Sequence, residues 1–116
     1  MEADSGGGAP YRLSGAVVDS DWAEVTRLAR ELGLEPGGNA QEGGTDVEEL
    51  RKRGVPEIMV NQDASRYFDV HHTANDTVER LDREGLARAT DAFVAVAHAA
   101  SARETPFGRL PPGVAK

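Results

Sequence analysis

From Tyr67 to Asp82 the chain reads YFDVHHTANDTVERLD, its densest run of side chains able to ligate a metal or move a proton. Adjacent imidazoles at His71 and His72 are followed by the hydroxyl of Thr73, with carboxylates at Asp69 and Asp76 on either side. Outside this stretch the chain has one further histidine, His98, and no cysteine. Imidazole nitrogen and carboxylate oxygen are the donors that zinc accepts. A metal-bound histidine gives its other N–H to a carboxylate or carbonyl, and Asp69 and Asp76 are near enough in sequence to receive it. Neighbouring residues of an extended chain point opposite ways, so only one of the two histidines is expected to face a metal. Spacing alone is a weak metal signal and favours a second reading, in which His, Thr and Asp merely tie a loop together.

The elements around this run must hold it in place. Pro56-Glu57-Ile58-Met59-Val60 reads as a short buried strand just before it, with Pro56 keeping the chain extended. Loops at the carboxyl ends of strands are where α/β folds place ligands. After it, Leu81 and Leu86 flank Asp82 at the spacing of a hydrophobic staple. Leu86, Ala89, Phe93, Ala97 and Ala100 then form one stripe, predicting the longest helix from Arg83 to about Arg103. From Glu104 periodicity stops and prolines appear, so 104–116 reads as a flexible tail after a folded unit of 1–103.

Upstream, MEAD reads as a strand end or the loop after it, because Gly6, Gly7, Gly8 and Pro10 follow at once. The triple glycine is either a flexible linker or a place where backbone passes close to another group. Within Tyr11 to Val18, Ala16-Val17-Val18 favours a strand. A helix is expected next, capped by Asp21 with Glu24 three residues on, carrying Trp22, Val25, Leu28, Ala29 and Leu32 on one face and stopped by Gly33. Leu34 to Gly44 reads as loop. Thr45 and Glu48 have capping-box spacing and open a short helix that Gly54 ends. Alternating helices and short strands make this an α/β chain. The strands number only two or three, a thin sheet for a self-standing domain.

Composition narrows the partners. The chain of 116 residues has 13 basic and 20 acidic residues, a net of −7, and no basic block interleaved with aromatics, so no nucleic acid is expected. No apolar run approaches the roughly 20 residues of a membrane span. The N-terminus has neither the basic region nor the apolar run of a signal peptide. As written, a soluble chain without a membrane partner is expected; the compartment is not encoded.

Several pieces together carry a resemblance. Gly43-Gly44-Thr45-Asp46 with Leu50, Gly54-Val55-Pro56, Asp63, Tyr67-Phe68-Asp69-Val70-His71-His72-Thr73 and Asp76-Thr77 resemble the C-terminal part of the co-catalytic zinc exopeptidases. These are metallopeptidase family 28, and the likeness is to its carboxypeptidase Q-like members. Met1-Glu2-Ala3-Asp4 with Gly6 resembles that subfamily's acidic motif at a strand end. The resemblance implies a three-layer sheet with flanking helices, incomplete in this chain. It implies two zinc ions held by two histidines and three acids, with a separate glutamate as general base. Carried over residue by residue, it makes His72, before the threonine, one zinc ligand and Asp4 another, with Glu2 the rival acid. His71, Thr73, Asp69 and Asp76 would line the pocket or brace the ligands. The base and the other three ligands have no counterpart in the chain, so it is expected to be inactive alone. The substrate of the complete enzyme would be a peptide cut near its end. The alternative is a non-catalytic folded remnant acting as a binding module, or self-associating through an exposed sheet surface.

Overall fold

The computed structural model describes residues 1, 3, 6–40 and 43–111. It shows a mixed α/β chain around a three-stranded sheet of order β2-β1-β3. Strand β1 is Pro10–Ala16, β2 is Glu35–Pro36 and β3 is Glu57–Gln62. β1 runs parallel to β2 and antiparallel to β3, with Leu13 opposite Val60 and Ser14 opposite Met59.

One face of the sheet is apolar. Leu13, Ile58 and Val60 project from it into a core shared with Val25, Leu28 and Ala29 of helix α1 (Asp19–Glu31). Ala92 and Val96 of helix α4 (Arg83–Ser101) complete it. The opposite face is polar and also covered. Ser14 Oγ donates to Asn61 Oδ1 at 2.5 Å, and Glu57, only 2% exposed, accepts from the Gly43 amide at 3.1 Å beside Arg51. Tyr11 of β1 is exposed, and the other large exposed apolar side chains include Phe68, Val78, Leu86 and Val94 on helices and loops. No described helix is long and apolar enough to cross a membrane.

The predicted stripe of α1 is the buried one, with Trp22 and Leu32 packed against its edge. Its stop is a Schellman turn: Gly33 has φ +69°, its amide reaches Arg30, and the Leu34 amide reaches Ala29. Its start differs from expectation. The helix begins at Asp19 behind Val18, without a side-chain cap, and Glu24 pairs with Arg27 rather than closing a box. Asp21 is free for another use. Strand β1 likewise begins earlier than Ala16-Val17-Val18 implies. It ends at Ala16 because the Asn39 side chain takes both the amide and the carbonyl of Val17.

Within the expected loop 34–44, Glu35 and Pro36 pair with β1, too short a contact for any periodicity to reveal. Thr45–Val47 form a 3-10 turn leading into α2 (Glu48–Lys52), and no side chain caps either. Glu48 pairs with Lys52 at 2.9 Å instead of reaching back to Thr45. β3 runs to Gln62, beyond the predicted Val60. Asp82 caps α4 as predicted, accepting from the Glu84 amide at 3.2 Å. The buried face of α4, however, is Gly85, Ala89, Ala92 and Val96, rotated from the expected stripe so that Leu86 and Ala97 are exposed.

Nor does the chain leave the body at Glu104. Arg103 Nη2 and the Gly108 amide both donate to Asp21 at 2.7 Å, Phe107 packs on the core, and the Leu110 amide donates to Gly54 at 2.9 Å. Residues 112–116 lie outside the described residues.

Candidate functional site

The glycine run is required by close approach. A side chain at Gly7 would meet Leu81 at 2.6 Å, and one at Gly8 would collide with the Asp63 carbonyl. Gly6 has φ +108°, and its missing side chain would lie 3.4 Å from Tyr67 Cδ2. Of the two readings of this run, close backbone passage is the one the fold uses. These glycines form one wall of a cavity of about 420 Å³ at the carboxyl end of β3. Tyr67, Val70, His71, Asp76, Arg80 and Leu81 line the same cavity.

Asp63, the first residue after β3, accepts from the Ser65 amide at 2.9 Å and so turns the chain toward the cavity. That amide holds the Asp63 carboxyl below its ordinary value, helped by the Ser65 hydroxyl. A folded value below the unfolded one stabilises the turn at pH above the ordinary carboxylate range. The contribution is lost as pH falls through the lower folded value. A carbon-13 NMR titration is expected to place the Asp63 midpoint below that of an unfolded aspartate. Ser65→Pro, which removes the donor, should bring it back up.

After the turn, Tyr67–Val70 make a single helical turn, α3, rather than open loop. Tyr67 and His71 stand one turn apart and their rings stack at 4.3 Å. Phe68 does not pack beneath the loop: it is 85% exposed, its ring edge-on to Tyr67 at 5.1 Å. The expectation that His71 and His72 point opposite ways fails for a backbone reason. His72 adopts φ +55°, in the left-handed region, which folds its ring back onto His71 at 3.8 Å. Thr73 braces the next turn, donating from Oγ1 to the Val70 carbonyl at 2.7 Å and accepting from the Asn75 amide at 3.1 Å.

The predicted site residues therefore separate. His71 and Asp76 face the cavity. His72 is exposed beside it and Asp69 lies outward, 3.7 Å from Arg66. Asp4, and its rival Glu2, lie outside the described residues. Arg66 and Arg80 line the cavity and carried no motif signal; only the fold brings them there. The donor types suit zinc, but among the described residues no three His, Cys, Asp or Glu side chains converge as a metal site would need. The described residues fit part of such a centre and do not close one.

No family model matches the chain. It is 33% identical over 101 residues to carboxypeptidase Q of Rattus norvegicus, a match covering 84% of this chain and 21% of that protein. Its fold superposes on the crystal structure of a peptidase M28 precursor from Shewanella amazonensis SB2B with a TM-score of 0.82 and 34% identity. That match covers 94% of this chain and 25% of the other. The chain thus spans about a fifth to a quarter of the length of these relatives.

Proposed function

The chain is carboxypeptidase Q-like and of the peptidase M28 kind, and on that premise we propose that it is the C-terminal portion of a zinc-dependent exopeptidase, a hydrolase of peptide bonds near a chain end. His72 and Asp4 are its zinc ligands in this reading. The remaining ligands and the general base belong to the larger part of the fold, so this portion has no activity of its own. A general base must lie within hydrogen-bond reach of the water it activates, and in this reading that glutamate belongs to the larger part of the fold.

What supports the reading is the meeting of two segments far apart in sequence. The glycine run that follows Asp4 lines one cavity together with Tyr67, His71 and Asp76 of the HHT loop. The test pairs the purified chain with the Shewanella amazonensis peptidase from which the matching quarter has been deleted. Dipeptide hydrolysis with added zinc is expected to be absent for either part and to appear on mixing. His72→Ala should lower the restored turnover at least about 100-fold, beyond the loss typical of an outer-shell partner. Zinc-dependent turnover by the chain alone, or restored turnover indifferent to His72, would sink the proposal.

A second reading, a non-catalytic binding module, draws support from the exposed apolar side chains Phe68, Val78 and Val94. Its mark would be a stable complex with the deleted peptidase that gains no hydrolytic activity.

A further inference from the structure

Three facts about the HHT loop belong together. First, among the described residues, no hydrogen bond or ion pair holds the His72 side chain, which is exposed. Second, its backbone sits at φ +55°, a conformation that costs a non-glycine residue on the order of 1 kcal/mol and persists only where the surroundings enforce it. Third, its ring lies nearly parallel to His71, 3.8 Å between centroids and 24° between planes, while His71 lies 27° from Tyr67 on its other face. Tyr67 is the anchored end of this three-ring ladder. It is half-buried beside Gly6, and its hydroxyl is 3.4 Å from His71 Nε2.

We infer that His71 is the positioning residue of the loop: it transmits the fixed orientation of Tyr67 to the His72 imidazole by stacking, and so aims the ligand nitrogen. The inference rests on the assignment of His72 as a zinc ligand. It needs no metal contact from His71 itself. An exposed side chain otherwise samples several rotamers, and ordering it on binding costs free energy that a preorganised ring has already met. Stacked aromatic pairs are worth about 0.5–1.5 kcal/mol, enough to select one rotamer of a two-torsion side chain. The left-handed turn at His72 is what makes this possible, because an extended backbone would send the two rings to opposite sides.

The test compares His71→Phe, which keeps a flat ring, with His71→Ala, which removes it. The first readout is the proton NMR of the His72 ring in the full chain without metal. Ring-current shifts and contacts between rings should persist in His71→Phe and vanish in His71→Ala. The second is zinc affinity of the chain mixed with the truncated Shewanella amazonensis peptidase, which supplies the remaining ligands in this reading, measured by titrating zinc chloride against the same His72 resonances. His71→Phe should match the parent and His71→Ala should bind about tenfold more weakly, the lower end of the range for groups that orient a ligand. An unchanged amide spectrum certifies that both variants fold. The inference is overturned if the alanine variant keeps the ring-current shifts, or if phenylalanine weakens zinc binding as much as alanine. Should His72 of the parent not respond to zinc even in that mixture, the ligand assignment fails and the positioning role falls with it; that result is distinguishable from the first two.

Discussion

Asp21→Ala is expected to lower the free energy of unfolding by about 3 kcal/mol, the low end of the range for breaking a buried ion pair, since Arg103 retains some solvent. The carboxylate is 7% exposed and accepts from both Arg103 Nη2 and the Gly108 amide at 2.7 Å. It also sits in the first turn of α1, where the helix dipole favours negative charge. Alanine would leave the Gly108 amide without an acceptor and release the guanidinium that stacks on Phe107 at 4.4 Å. Asp21→Asn keeps an acceptor but not the charge, and should lose about half as much. Urea denaturation reads both effects as a lower midpoint at unchanged slope. A loss under about 1 kcal/mol for the alanine variant would show that the segment after α4 is not held by this carboxylate.

Gly8→Ala is the second substitution with a large expected effect, about 2–3 kcal/mol of destabilisation from overpacking. Its Cβ would overlap the Asp63 carbonyl and lie 2.9 Å from Asp63 Cβ. Neither side can yield easily. The Asp63 amide donates to Ala9 at 2.9 Å and Gln62 Nε2 donates to the Gly8 carbonyl at 3.0 Å, so both strands of contact are already pinned. The cavity wall would shift with them. Gly38→Ala is the matched control, since nothing lies within 4 Å of its Cβ position and its φ is ordinary. It should be neutral or slightly stabilising, by the few tenths of a kcal/mol that a stiffer unfolded chain contributes. Thermal melts that rank the two variants equally would refute the close-passage account of the glycine run.

What could be read from the sequence was whatever repeats locally. The 3.6-residue stripe of α1, the cap at Asp82 and the stop at Gly33 depend on neighbours within a turn or two, and they stand as read. The failures share the opposite property. Asp21 has capping-box spacing with Glu24, but its partners lie 82 and 87 residues away, and a tertiary ion pair outcompetes a local cap. The proline-rich segment after Ser101 has no period because it forms no regular element. Its order comes from single bonds to Asp21, Arg53 and Gly54. In α4 Ala89 is buried as expected, but Gly85, Ala92 and Val96 take the places of Leu86, Phe93 and Ala97, because alanines surround the stripe and several faces look equally apolar. In the site, residue types drew attention to a loop that lines the cavity. The left-handed backbone at His72 could not be foreseen, and with it the pairing of the two rings was missed.

The clasp at Asp21 and Gly54 also bears on the order in which the chain folds. Helix turns and the β1–β3 ladder close over shorter separations than bonds spanning 82 or 87 residues, and loop-closure entropy makes such distant contacts late. The clasp therefore belongs to the closing stage of folding, after the transition state has assembled the sheet. Interactions formed that late slow unfolding rather than hasten folding, so this carboxylate acts mainly on how long the native state lasts once made.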